Sequence, residues 1–237
     1  MRIEKNISLK KYNTFGIDAK AKFFYEITSI NELKKALQHN DYPDKFIISG
    51  GSNMLITKDI EALVLYINIK GKEILEEDDD HVYFKIMAGE VWHDMVLWCL
   101  DHDFGGLENL SLIPGYTGTA PIQNIGAYGV ELKDTFVSCE AMNIADQSIR
   151  SFSKKGCNFG YRDSYFKNEG KGKYIITSVT FKLTKRNHKL NTSYGAIEDE
   201  LERKDIKSPT RKDISNAVVA IRQSKLPDPK KLGNSGS

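Results

Sequence analysis

Two glycine-rich segments could bring bare backbone close to a ligand. The first, Gly50-Gly51-Ser52-Asn53, follows an apolar run, and its consecutive N–H groups, hydroxyl and amide could cradle a diphosphate. The second spans 105–129 and holds six of the 18 glycines and two of the six prolines. From the residues alone, an ordinary turn explains 50–53 better than a binding site does. For 115–129, a structural loop and a binding site are equally good explanations.

Neither segment matches a standard nucleotide-binding motif. The sequence has no G-x-G-x-x-G after a strand pattern and no G-x-x-x-x-G-K-[ST]. A Rossmann or P-loop fold is therefore not supported, and any phosphate site here must be built differently.

Two groups of cations are further candidates for chemistry. In Tyr161-Arg162-Asp163-Ser164 the guanidinium could form paired hydrogen bonds to a carboxylate, although spacing alone favours a surface charge or an ion pair. Arg222 and Lys225 flank the end of a predicted helix, where cations suit the helix dipole.

Histidine and cysteine give no sign of a metal site. The five histidines lack metal-ligand spacing, and His93, beside Trp92 in a predicted amphipathic helix, is expected to have a surface or packing role. The three cysteines contain no C-x-x-C pair, which argues against a zinc site or a disulfide framework and favours a reducing compartment.

Composition limits the class of protein. With 40% apolar and 28% charged residues, 237 residues can form a globular core. The net charge of +2 argues against a nucleic-acid or membrane-surface binder. No signal-peptide pattern begins the sequence, and the uncharged stretch 109–130 contains four glycines and two prolines, which argue against a membrane span. A cytoplasmic monomer is expected.

Strand and helix patterns alternate around these segments. Capping boxes at Ser29 to Glu32 and at Thr210 to Asp213 each predict the start of a helix, and 91–100 predicts another. The acidic run 76–80 is interpreted as a solvated turn, and 145–147 as the link of a hairpin. Strands are predicted over 45–49, 63–69, 82–88, 136–144, 148–152 and 174–183.

Five motifs in register give a resemblance to a known family. They are Asn13-Thr14-Phe15-Gly16, the segment 50–53, the stretch from Ile113-Pro114-Gly115 through Gly118 to 121–129, 161–167, and 222–229. In this order and over essentially the whole chain, the sequence resembles the UDP-N-acetylenolpyruvoylglucosamine reductases. The segment 233–237 is similar to the opening of a further motif of that family.

The resemblance implies an α+β fold with a two-subdomain FAD-binding module of the vanillyl-alcohol-oxidase (PCMH) type. Its expected parts are a first FAD-binding subdomain over 1–68, a second over 69–205, and the start of a substrate-binding domain over 206–237. Relatives continue for about one small domain more, so a C-terminally truncated chain with impaired turnover is expected. The alternative is a truncated, non-catalytic FAD-binding module.

The resemblance also assigns roles to residues. It implies that NADPH reduces bound FAD, and that the hydride then converts UDP-N-acetylglucosamine enolpyruvate to UDP-N-acetylmuramate in peptidoglycan precursor synthesis. It implies two catalytic residues, Arg162 on the substrate carboxylate and Ser237 as proton donor, with Arg222 facing the flavin ring and no metal. The implied FAD-binding residues are Gly50, Gly51, Ser52, Asn53, Thr119, Ile122, Gln123, Gly126, Ile176 and Arg222. The implied substrate-binding residues are Tyr128, Tyr161, Tyr194 and Lys225.

Overall fold

The computed structural model describes residues 1–228 and 231–235. These residues form two larger sheets, a two-stranded ribbon and four α-helices. The strands are β1 Glu4–Ser8, β2 Lys20–Ile27, β3 Lys45–Ile48, β4 Ile60–Ile67, β5 Lys72–Glu77, β6 His81–Met87, β7 Gly126–Ala127, β8 Val130–Glu131, β9 Phe136–Asn143, β10 Ile149–Ser153 and β11 Tyr174–Thr184. The helices are α1 Ile30–Leu37, α2 Trp92–Asp101, α3 Gly195–Arg203 and α4 Arg211–Lys225.

The first sheet has the strand order β1-β2-β4-β3. Its strands β2 and β3 both run parallel to β4, and Ile48 of β3 pairs with Tyr66 of β4. The connection from β2 to β3 is α1, which buries Leu33 against the sheet core. Because β3 is an edge strand that ends at Ile48, the glycine-rich segment 50–53 emerges at the carboxyl end of this strand, next to β4.

The second sheet is antiparallel, in the order β10-β9-β11-β6-β5. Its central strand β11 is almost wholly buried, because both neighbours and the packed helix α2 cover it. Trp92 of α2 meets Phe181 of β11 edge to face, with ring centroids 6.0 Å apart. This packing fixes the start of α2 next to the glycine-rich stretch that follows it.

The sequence patterns predicted some elements and missed others. The predicted hairpin is confirmed by antiparallel pairing of β9 with β10. The interpretation of 76–80 as a turn is wrong at its start, because Glu76 and Glu77 belong to β5. Every residue of that edge strand is exposed, so no apolar alternation indicates a strand. The strands β1 and β2 and the helix α3 are also absent from the sequence prediction.

The helix α4 begins as its capping box predicts. Thr210 Oγ1 accepts the N–H of Asp213 at 3.2 Å, and the Asp213 carboxylate accepts the N–H of Thr210 at 2.8 Å. Its apolar face packs against α3 through a cluster that includes Ile197, Val218 and Ile221. The proposed boundary between 205 and 206 thus falls between two packed helices, and the three-part division stays a prediction.

Among residues 1–228 and 231–235, no helix combines the length and apolar character needed to cross a bilayer.

Candidate functional site

The two glycine-rich segments meet in the structure. A Cβ atom added to Gly50 would lie 2.8 Å from the Cα of Gly115, so the two backbones are in direct contact. Gly51 has a φ of +56°, and a Cβ there would lie 2.0 Å from the carbonyl oxygen of Tyr12. Only glycine fits at these two positions. We call residues 50–53 the diphosphate loop.

The motif 13–16 supports the diphosphate loop. Thr14 N–H donates to the Gly51 carbonyl at 3.2 Å. The side chain of the buried Asn13 closes the turn, since it donates to Leu9 O at 2.8 Å and accepts the N–H of Ile17 at 3.0 Å. The motif therefore fixes the backbone from which the diphosphate loop is built.

The diphosphate loop has unused polar groups that suit an anionic ligand. Among the described residues, the N–H groups of Gly51, Ser52 and Asn53 donate no hydrogen bond. The hydroxyl of the preceding Ser49 is buried and also lacks a partner there. Consecutive unpaired N–H groups form an anion-binding concavity, so these residues fit the diphosphate of a dinucleotide.

A 3-10 segment, Thr117–Gln123, carries further predicted cofactor residues towards this loop. The Asn53 amide donates to Gln123 Oε1 at 3.5 Å, which joins the two segments. Thr119 uses its hydroxyl within the turn, donating to Tyr116 O at 2.8 Å. The predicted cofactor residues 50–53, Thr119 and Gln123 are thus brought together.

The second predicted site is an exposed loop, residues 158–168, which we call the arginine loop. Arg162 sits there with a φ of +52° and an exposed side chain. The fully buried Ser164 holds the loop, because its hydroxyl donates to Ile122 O at 2.7 Å and accepts the Phe166 N–H at 3.1 Å. Asn124 also donates to Gly160 O at 2.9 Å. The arginine loop is therefore anchored on the glycine-rich stretch.

Arg222, near the end of α4, is buried close to this region, with 9% of its surface exposed. Its Nε donates to Leu112 O at 3.2 Å. Burial lowers the pKa of the Arg222 guanidinium, a hydrogen bond with the Tyr128 phenol opposes this effect, and the charge of Arg162 adds to the lowering. Two cations from distant parts of the sequence thus share one neighbourhood, which suits an anionic ligand.

The other predicted residues occupy varied positions. Tyr128 and Tyr194 meet edge to face with ring centroids 5.3 Å apart. Tyr161 is 85% exposed beside the Arg162 guanidinium, and Lys225 is exposed at the end of α4.

The remaining predicted residues lie in the 3-10 segment, in the ribbon, in the second sheet, or outside the described chain. Ile122 is partly exposed, and Gly126 lies in β7 opposite Glu131. Ile176 is buried in the core of the second sheet. Ser237 lies outside the described residues, so its proposed role stays a prediction.

His93 is the residue whose position the sequence did not reveal. Its Nδ1 accepts the N–H of Leu112 at 3.0 Å, and Leu112 is also the residue whose carbonyl receives Arg222. Burial lowers the pKa of His93, Asp94 opposes this and the Arg222 charge adds to it. A histidine beside a tryptophan in an amphipathic helix carries no pattern that indicates such a contact.

Two further features bear on which ligands fit. A groove of 620 Å³ runs between the segments 106–109, 129–135 and 189–193, and none of the predicted site residues lines it within the described chain. No cluster of three or more histidine, cysteine or acidic side chains suited to a metal occurs among residues 1–228 and 231–235.

Comparison with known proteins places this geometry in context. Residues 21–153 match the family described as an FAD binding domain. The structure is similar to that of the UDP-N-acetylenolpyruvylglucosamine reductase of Thermus caldophilus, with a TM-score of 0.64, 23% identity, and coverage of 90% of this chain and 72% of that one. It is also similar to a cholesterol oxidase of Brevibacterium sterolicum, with a TM-score of 0.57, 12% identity, and coverage of 77% and 38%. The expected α+β FAD-binding fold is confirmed.

Two relatives are similar over this entire chain. The UDP-N-acetylenolpyruvoylglucosamine reductase of Flavobacterium johnsoniae is 65% identical, and the alignment covers 100% of this chain and 70% of the relative. The protein of the same name from Amoebophilus asiaticus is 46% identical, with the same coverage of 100% and 70%. From these similarities and the matching domain, the chain belongs to the UDP-N-acetylenolpyruvoylglucosamine reductase family.

Proposed function

We propose that this chain binds FAD and uses NADPH to reduce UDP-N-acetylglucosamine enolpyruvate to UDP-N-acetylmuramate, in peptidoglycan precursor synthesis. The observation that carries the proposal is the convergence of the diphosphate loop, the segment Thr117–Gln123 and the arginine loop, in a chain of this family. We further propose that the enzyme is monomeric and cytoplasmic, and the three buried free cysteines support the cytoplasmic location.

The diphosphate loop would hold the two phosphates of FAD. Its three unpaired N–H groups would donate to phosphate oxygens, and Ser52 and Asn53 would add a hydroxyl and an amide. The backbone contacts of Gly50 and Gly51 keep these donors fixed before the ligand arrives. A preformed site loses little conformational freedom on binding, which favours affinity.

When bound, FAD supplies hydride transfer between the nicotinamide and the substrate. Arg162 would hold the enolpyruvyl carboxylate, where negative charge develops as the double bond is reduced and a fixed cation is most effective. Its exposed side chain can reach a ligand, because buried Ser164 rather than Arg162 holds the loop. Arg222 would face the flavin ring with a second positive charge, oriented by the Leu112 carbonyl and Tyr128.

The remaining roles concern the rest of the substrate. Tyr128, Tyr161 and Tyr194 would contact the nucleotide sugar, and Lys225 would bind its phosphates. Ser237 would donate a proton to the substrate carbon after hydride transfer, and it lies outside the described residues. In this proposal every protein group acts by binding, orienting or transferring a proton.

The test begins with FAD titration of the purified chain. We expect tight binding, a yellow colour and a shifted flavin spectrum. NADPH oxidation is then measured with and without the enolpyruvyl nucleotide. Arg162→Ala should lower the substrate-dependent rate about 100-fold while FAD binding is unchanged, and Arg203→Ala, a surface arginine paired with Glu200, is the control.

Each result has a distinct meaning. A chain that stays colourless with FAD contradicts the proposal entirely. A yellow chain whose NADPH oxidation never responds to the nucleotide contradicts the reductase step and leaves an FAD-binding module. An Arg162→Ala variant with normal substrate-dependent turnover removes Arg162 from the carboxylate site.

A further inference from the structure

We infer that His93 is a positioning residue, which holds Arg222 in place by fixing the backbone of Leu112 between them. The inference rests on the proposed function only in its assignment of Arg222 to the flavin site. It adds a residue, an ionisation state and a pH dependence to that site.

The contacts place Leu112 between two side chains. Its N–H donates to His93 Nδ1 at 3.0 Å, from the first turn of α2. Its carbonyl accepts a hydrogen bond from Arg222 Nε at 3.2 Å, from the last turn of α4. Since both groups belong to one residue, a shift of Leu112 away from His93 also moves the acceptor that orients Arg222.

Leu112 needs this support because of its backbone conformation. Its φ is +58°, in the left-handed region that a branched aliphatic residue rarely adopts. Such a conformation persists only where surrounding contacts hold it. The hydrogen bond from Leu112 N–H to His93 is one such contact, so its loss allows the segment to relax.

The chain on either side of Leu112 is held independently. Trp92 Nε1 donates to Leu110 O at 2.8 Å, and Trp92 N–H donates to Gly115 O at 3.0 Å. The buried hydroxyls of Ser111 and Ser215 are 2.7 Å apart, which joins the same segment to α4. Loss of the His93 contact is therefore expected to act locally, at Leu112 and Arg222, without unfolding the loop.

The contact requires neutral His93. Because Nδ1 accepts a hydrogen bond, the ring proton must be on Nε2, and protonation of Nδ1 would set two donors against each other. The charged groups that act on the ring are Asp94 on its own helix, which favours the cation, and Arg222 on α4, which opposes it. Burial also opposes the cation, so the pKa of His93 lies below its ordinary value of 6.5.

The expected consequence is loss of Arg222 positioning in acid. As the pH falls through the depressed pKa of His93, the Leu112 N–H bond is lost and Arg222 is repelled by the new charge. A displaced cation stabilises negative charge on the flavin less well. The flavin reduction potential, measured relative to free FAD at each pH, should therefore fall below the value seen at neutral pH.

Two variants of the FAD-loaded chain test this. His93→Asn keeps an acceptor near the Nδ1 position but cannot gain a proton, whereas His93→Leu removes the acceptor. FAD affinity and the relative reduction potential are measured from pH 5 to pH 8, with His39→Leu as a control histidine outside the site. We expect His93→Leu to have a lowered relative potential at every pH, and FAD binding weakened about 3- to 10-fold, as for one lost hydrogen bond.

The relative reduction potential of His93→Asn should match that of the wild type at pH 8, and it should not fall in acid. The inference is overturned if His93→Leu retains the wild-type potential and affinity, or if His93→Asn retains the acid fall. Should His93→Leu not fold, the pH profile of His93→Asn decides alone.

A wild-type chain that binds no FAD contradicts the proposed function rather than this inference. Hydrogen exchange of the Leu112 amide in the unliganded chain then tests it directly. The observed rate is compared with the intrinsic rate of an unprotected amide at each pH, which gives a protection factor. A lower protection factor in acid in the wild type, absent in His93→Asn, supports the contact. The same pH dependence of the protection factor in both proteins overturns it.

Discussion

The diphosphate loop and the arginine loop are both glycine-containing turns beside the same glycine-rich stretch, yet they are held in opposite ways. The diphosphate loop is shaped by the absence of side chains, since Gly50 and Gly51 touch backbone atoms of other segments. The arginine loop is shaped by side-chain hydrogen bonds, chiefly those of the buried Ser164.

This difference determines whether binding and stability can be separated by mutation. In the diphosphate loop, Gly50 and Gly51 fit the fold and also hold the backbone whose N–H groups face the ligand, so a substitution there harms both stability and binding. In the arginine loop, Ser164 holds the backbone and the exposed Arg162 is available for chemistry. Stability and function there depend on different residues, as is common where a rigid support carries a reactive group.

The largest expected effect is that of Gly51→Ala. The new Cβ would lie 2.0 Å from the Tyr12 carbonyl oxygen, at a φ of +56°. We expect the free energy of unfolding to fall by about 2–4 kcal/mol and FAD binding to be lost, since the loop must shift. Chemical denaturation and FAD titration measure the two effects.

Gly16→Ala is the matched control for Gly51→Ala. Its φ of +66° is similar, but no atom lies within 4 Å of the added Cβ. Only the backbone cost of about 1–2 kcal/mol is expected, with FAD binding retained. If both variants lose the same stability, the steric explanation of the diphosphate loop is wrong.

The second effect is that of Ser164→Ala. The variant leaves the Ile122 carbonyl and the Phe166 N–H without their hydroxyl partner, at a position where the Ser164 side chain is fully buried. A loss of about 1–3 kcal/mol is expected in the free energy of unfolding. Ser153→Ala, whose hydroxyl accepts one exposed hydrogen bond from Gly156 N–H, should cost far less. Equal losses would show that Ser164 does not hold the arginine loop.

The smallest effect on stability is expected for Arg162→Ala. Its side chain is exposed, so truncation should change the free energy of unfolding by less than about 0.5 kcal/mol. The same variant should have the large loss of substrate-dependent turnover described above. A destabilisation comparable to that of Ser164→Ala would remove the separation of support and chemistry in this loop.

Local patterns predicted a useful part of the fold. The capping box at Thr210 and Asp213 forms as expected, because its four-residue spacing is itself the interaction. At Ser29 the hydroxyl caps α1 as predicted and accepts the Glu32 N–H at 3.2 Å, whereas the Glu32 carboxylate accepts the N–H of Thr28 at 2.8 Å, one residue before the N-cap. The sequence patterns did not predict β5, because its side chains are all exposed. Its strand conformation comes from pairing with β6.

In the candidate site, too, some features could be predicted from the sequence and others could not. The motifs at 50–53 and 161–167 could be recognised in the sequence, because residue type and spacing carry the resemblance. Why those residues matter could not be recognised. Gly51 is required by the carbonyl of Tyr12, and that contact follows from the packing of two separate turns.

The sequence by itself therefore determined the residue types at the ligand-binding loops, the caps of the helices that begin by local hydrogen bonds, and the family. Only the tertiary structure decided which of these residues meet. Asn53 contacts Gln123 across 70 positions, and Arg222 contacts Leu112 across 110, with His93 on the other side of the same residue. Such contacts depend on strand register, helix packing and burial acting together, and no short stretch of sequence contains that information.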